Sequence, residues 1–234
     1  MAMTQKQLET LLADEAALFV EWHSRWQEEH PDYPWFNEDG IVDPERWHTL
    51  PDGKRILLLL KETNDLHGSL TEFLRQGGSA TYGRTWNNVA RWAAVILYGE
   101  YWDNVPREKL NDIVRNLTIV NLKKYAGGAS AKPHEIATEA AKDTDLLRKQ
   151  ITLYAPDIIL TGGWGLVSNF LHDTIYQDAA VWHKPDTDTV LWYYKTDQIT
   201  PQHKTLVISM PHPNRAAKRW TMELEKVLHV TKRV

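Results

Sequence analysis

The chain contains no cysteine. That absence excludes disulfides, thiolate-held zinc, cysteine-ligated iron–sulfur clusters and a cysteine nucleophile. Long apolar runs are missing too, and no segment approaches the length that crosses a bilayer. The opening MAMTQKQLETLLADEAAL carries acids and glutamine through its apolar positions, which is not the pattern of a secretory leader. These absences predict a cytoplasmic protein with no membrane partner. No HExxH or comparable His/Asp/Glu spacing marks a metal site, and Gly162-Gly163 is followed by neither Lys-Ser/Thr nor a GxGxxG pattern. Positive charge is not in excess: the net charge is −4, so a phosphate-binding surface must be a local patch. Lys123–Lys124, Arg215 with Lys218–Arg219, and Lys232–Arg233 are its possible sources, although each is also ordinary as solvated surface charge.

What is present describes a globular chain. The 234 residues are 42% hydrophobic and 25% charged, a composition and length suited to one domain. Eleven tryptophans are unusual. Indoles build cores, but they also stack on planar ligands.

Apolar periodicity then divides the chain. Leu8, Leu11, Leu12, Leu18, Phe19, Trp22 and Trp26 recur at helical spacing behind Thr4, predicting a long first helix over residues 4–30. Ile56–Leu60, Leu117–Val120, Asp157–Leu160 and Leu206–Ser209 are short apolar runs bounded by turn residues, the pattern of strands buried on both faces. Helical patterns lie between them, one containing Trp86, Val89, Ala93 and Leu97, another running from Pro133 to Tyr154. A shorter helix starts near Trp164, and Arg215 opens the last. The alternation predicts a three-layer α/β/α domain with a central, mainly parallel four-stranded sheet. Residues 1–234 form one domain on this reading, with the first helix and a hairpin over 180–195 as elaborations, the hairpin a candidate edge addition.

Ligands of open parallel sheets bind outside the carboxyl ends of the strands. The residues there are Lys61–Asp65, Asn121–Lys124, Thr161–Trp164 and Met210–Arg215, a concentrated set of carboxylates, amides and a histidine held between prolines.

Several of these segments resemble the uracil-DNA glycosylase superfamily. TIVNLKKYAGGASAKPHEI and LLRKQITLYAPDIILTGG are similar to its central part, where a strand ending in Asn leads through a basic, glycine-containing loop to a helix and a second strand closing in glycine. MPHPNRAAK resembles the family's histidine motif, and the strand followed by KETND stands where its water-activating motif belongs. The likeness runs in order over about residues 55–220. Lys61 and Asn64 replace the family's glycine and proline in the first motif, and Asn214 replaces a serine.

The resemblance implies a DNA-repair hydrolase that excises a damaged base such as uracil, acting on DNA as a monomer and requiring no metal or organic cofactor. Glu62 is then the carboxylate that orients or deprotonates water near a developing oxocarbenium ion, with Asn64 and Asp65 as rivals. His212 donates to the departing base oxygen, unless it is only a turn histidine. Asn121 reads the base edge. Tyr82, Trp86 and Trp164 are candidate stacking rings, each by type more often a core residue than a platform. Lys123, Lys124, Ser130, Asn214, Arg215 and Lys218 are candidate DNA contacts, and Gly127-Gly128 a place where backbone amides meet phosphate. A nucleic-acid- or nucleotide-binding module of the same fold, altered in its catalytic motif, is the alternative.

Overall fold

The computed structural model describes residues 3–33, 35–80, 83–101, 105–127, 132–215 and 218–232. In chain order its elements are α1 (Gln5–Glu29), β1 (Gly40–Ile41), α2 (Pro44–Trp47), β2 (Ile56–Leu60), α3 (Leu70–Arg75), α4 (Gly83–Tyr98), α5 (Arg107–Val114), β3 (Thr118–Asn121), α6 (Pro133–Lys142), α7 (Thr144–Tyr154), β4 (Ile158–Gly162), α8 (Gly165–Asn169), β5 (Trp192–Thr196), β6 (Thr205–Met210) and α9 (Arg219–Thr231). The chain is α/β. Among the described residues no helix is long and apolar enough to cross a membrane.

The sheet has six strands in the order β1-β3-β2-β4-β6-β5. β3, β2, β4 and β6 run parallel, while β1 and β5 add antiparallel edges. The apolar runs explain the burial. Within β2, Ile56, Leu58 and Leu60 face one core and Leu57 and Leu59 the other, as period-two alternation requires. Residues of α3, α4, α5 and α9 cover the first face, and those of α1, α6 and α7 the second. Thr4 caps α1 as expected, its side chain accepting from Gln7 N–H while Gln7 Oε1 accepts from Thr4 N–H at 2.9 Å.

Four expectations need correction. The sheet is wider than four strands, because β1 has only two residues and leaves no periodic trace. The 180–195 hairpin is not formed: its first half makes one bridge, His183 with Tyr193, while β5 pairs along its length with β6. The helical pattern from Pro133 splits into α6 and α7 at Asp143. The last helix begins at Arg219, and Arg215 closes a single 3₁₀ turn over Pro213–Arg215.

The register sets the site. Leu60 lies beside Asn121, and Gly162 beside Met210, so the four parallel strands end along one edge and release their following loops together. Gly162 keeps that edge tight, since a Cβ there would strike Leu60 and crowd Pro213.

Candidate functional site

A cavity of about 100 Å³ opens at this edge. Glu62, Asn64 and Asp65 enter it from the loop after β2, Asn121 from the end of β3, and His212 and Asn214 from the loop after β6. Leu60, Leu70, Phe73 and Trp86 give it an apolar wall. Apolar cavities of that order hold a single small ring. The three residues on which the sequence reading turned, Glu62, Asn121 and His212, therefore share one hollow although 150 residues separate the first from the last.

Asn121 is the most constrained of them. It is 1% exposed. Asp39 Oδ2 accepts from its backbone N–H at 2.7 Å and from its side-chain Nδ2 at 3.3 Å. An ionised carboxylate only accepts, so Asp39 fixes the amide with Nδ2 toward itself. Oδ1 is left without a hydrogen-bond partner among the described residues. A buried acceptor without a donor costs about 1–3 kcal/mol, and a ligand N–H in the cavity would recover it.

Asp39 is held in turn. Lys124 Nζ donates to it at 2.7 and 2.8 Å, and Gln150 Nε2 at 2.8 Å. Asn37, two residues earlier, donates to Thr63 Oγ1 and to the Leu66 carbonyl and accepts from Gly68 N–H, which folds the 63–68 loop over the cavity. Sequence reasoning missed Asn37 and Asp39. They lie in an irregular, proline-punctuated stretch, and their one signal is an amide and an acid immediately before Gly40.

Glu62 does not stand free beside the cavity. Its side chain is 3% exposed and its Oε2 lies 2.7 Å from Lys123 Nζ, itself 2% exposed. Lys123 also donates to Glu135 at 3.0 Å. Burial pulls Lys123 toward its neutral form, but the bonds to Glu62 and Glu135 outweigh it and leave the ammonium above its ordinary pKa. Gly127 packs directly on the Glu62 carboxylate, where a Cβ would overlap it, and its N–H donates to the Thr63 carbonyl. That amide is therefore not available to a phosphate, contrary to expectation.

His212 is half-buried. Its Nδ1 accepts from Asn214 N–H at 3.3 Å, which places the proton of a neutral ring on Nε2. Burial lowers its pKa, and the nearby Lys61 and Arg215 cations lower it further. The loop is anchored from α4, where Asn88 Nδ2 donates to the Pro213 carbonyl at 2.7 Å.

Compared with models of known protein families and with curated proteins, the chain matches none.

The remaining expected residues divide. Asn214, Arg215 and Lys218 are exposed near the mouth of the cavity or just beyond it in sequence. Lys123 and Lys124 are not surface cations: both are buried ion-pair donors, and Lys124 also lies 4.5 Å over the Trp22 ring. Burial lowers the Lys124 pKa against the opposing pull of Asp39. A phosphate could reach neither ammonium without breaking its carboxylate pair. Trp86 lines the cavity but is also a core residue at 5% exposure. Trp164 does not line the cavity. It borders a separate groove and packs edge-on against Trp220 at 5.2 Å. Its φ of 53° and ψ of −148° lie in a region normally left to glycine, at a cost of about 1–3 kcal/mol. Tyr82 and Ser130 lie outside the described residues, as does Gly128.

Among the described residues, the His and carboxylates that line the cavity form no group of three with ligand atoms within 4.8 Å of one another. Elsewhere among the described residues, Glu29, His30 and Glu139 bring ligand atoms within 4.8 Å of one another. Lys142 Nζ sits 3.3 Å from Glu29 and 2.9 Å from Glu139, so an ammonium already supplies the cation there.

Proposed function

We propose that the chain is a DNA glycosylase of uracil-DNA glycosylase type, hydrolysing the bond between deoxyribose and a damaged base held in the cavity. The observation that carries this reading is the buried Asn121 amide at the cavity, whose Oδ1 has no hydrogen-bond partner among the described residues while Asp39 holds its Nδ2. The parallel order β3-β2-β4-β6 at the centre of the sheet and the ordered resemblance over residues 55–220 support it.

In this mechanism the flipped base enters against Trp86, and its N–H meets Asn121. As the C1′–N bond breaks, its electron pair moves to the base, and the His212 Nε2–H bonds the base oxygen that gains charge. Water adds to C1′ from the side of Asn64, whose exposed amide at the cavity orients it. The water's proton passes to solvent or to the departing base. Glu62 enters this mechanism already bound through its Oε2 to Lys123 Nζ at 2.7 Å.

That pair favours the second reading, a binding module of the same architecture that holds a base without cleaving it. Oligonucleotides carrying uracil, hypoxanthine, xanthine or mismatched thymine separate the two. The glycosylase reading expects an abasic product from one of them, lost in Asn64→Ala and retained in part in Glu62→Gln. Tight binding with no product on any member of the panel supports the module instead.

A further inference from the structure

The loop that brings Asn64 to the cavity has no regular structure of its own. Residues 63–68 follow β2 without helix or strand, and Asn64, Asp65 and His67 are exposed. Among the described residues, the side chains of Asn64 and Asp65 make no hydrogen bond or ion pair. Asn64 is therefore placed by its backbone, and the backbone by whatever holds it on either side.

One buried side chain supplies most of that hold. Asn37 is 1% exposed. Its Nδ2 donates to Thr63 Oγ1 and, at 2.9 Å, to the Leu66 carbonyl. Its Oδ1 accepts from Gly68 N–H at 3.0 Å. Four hydrogen bonds reach residues 63–68 from elsewhere among the described residues, and three of them are these. The fourth runs from Gly127 N–H to the Thr63 carbonyl at 2.9 Å. Both ends of the Asn37 amide are thus spent on one loop. Gly68 meets it with a φ of 101°, a conformation that favours glycine.

Asn37 can hold the loop because it is itself held. Its N–H donates to the Lys124 carbonyl at 2.6 Å, and the carbonyl of Glu38 accepts from Leu70 N–H at 2.7 Å. Asp39 then binds Asn121 and Lys124. Three consecutive residues therefore tie the loop after β2 and the start of α3 to the end of β3. Those segments carry Asn64, Leu70 and Asn121 to the cavity. A buried amide with its partners satisfied favours one arrangement of the groups around it.

We propose that Asn37 is a positioning residue: it closes the 63–68 loop on the cavity and so fixes Asn64 where the attacking water is oriented. The role of Asn64 rests on the glycosylase reading, whereas the closure of the loop does not.

The test pairs residue-resolved amide hydrogen exchange with single-turnover excision, on the full chain and its Asn37→Ala and Asn37→Asp variants. Asn37→Ala should speed exchange of the Gly68 N–H roughly ten-fold, the factor of one net hydrogen bond, and leave the amides of β2 and β3 unchanged. On the oligonucleotide that the wild type cleaves, its rate should fall about a hundred-fold, the scale of a small misplacement near the chemistry. Affinity for that oligonucleotide should stay within about three-fold, because what is lost acts in the transition state. Asn37→Asp keeps an acceptor for Gly68 N–H and should restore its exchange and part of the rate. If Asn37→Ala does not fold, Asn37→Asp is judged on rate and affinity, where the same split is expected at smaller size. Wild-type exchange at Gly68, faster exchange throughout β2 and β3, an unchanged excision rate, or rate and affinity falling together would each overturn the assignment. A wild type that excises no base removes the glycosylase reading, and Gly68 exchange alone then decides whether Asn37 closes the loop.

Discussion

Lys123 and Lys124 are adjacent in sequence, both buried and both paired to an acid, yet they serve opposite sides of the β3 end. Lys124 belongs to a closed cluster with Asp39 and Gln150, in which each charged atom has its partner. Lys123 ties Glu62 at the border of the cavity, where Asn121 keeps an acceptor unsatisfied. Asp39 touches both regions. The contrast is local: the fully paired group around Asp39 holds the end of β3, while the Asn121 acceptor beside the cavity has no partner among the described residues.

The sharpest way to break this distinction is to exchange the penalties. Lys124→Met strands the Asp39 carboxylate in a dry interior and should cost about 3–5 kcal/mol of stability, measured by urea unfolding with activity lost as the fold is lost. Asn121→Ala should instead leave the unfolding midpoint nearly unchanged and lower excision about a hundred-fold, about 2.7 kcal/mol of transition-state stabilisation. If Asn121→Ala unfolds as readily as Lys124→Met, the amide belongs to the scaffold and the contrast fails. A smaller effect lies between the two regions. Gly127→Ala forces a methyl into the Glu62 carboxylate and should cost about 1–3 kcal/mol by overpacking. Wild-type stability in that variant would mean that the Glu62–Lys123 pair moves freely, and with it the border of the cavity.

The sequence made the contents of the site legible more readily than its supports. β2, β3, β4 and β6 announced themselves as unbroken apolar runs, and burial on both faces leaves few other readings for such runs. Their common edge brought Glu62, Asn64, Asn121 and His212 to one place, because strand ends in a parallel sheet are where loops converge. Asp39 and Asn37 were not legible, since a buried acid looks like a loop acid until the lysine opposite it is known. The same ambiguity misled the reading of Lys123 and Lys124. Two consecutive lysines are normally solvated, and only their distant partners Glu62 and Asp39, 61 and 85 positions away, draw them inside. Trp164 failed for a different reason: its place after β4 was correct, but a left-handed backbone swings its ring away from the cavity.

The smallest expected effect concerns the proton on His212, and it distinguishes a site histidine from a turn histidine. With Nδ1 accepting from Asn214 N–H, a second proton on the ring would set two donors against each other. Burial, then Lys61 and Arg215, already oppose that proton. The folded-state pKa is thus below the ordinary value, and between the two the unfolded chain binds the proton first. Stability from this residue is therefore present above about pH 6.5 and declines as pH falls toward the folded-state value. Excision should follow the same sign, staying level through the ordinary histidine range and failing only on its acid side. Lys61→Ala removes one like charge and should move that acid limb to higher pH, with little change in the rate at neutral pH. An acid limb that stays in place in Lys61→Ala would show that His212 does not sense the cavity's charge, and would leave it a turn residue beside the site.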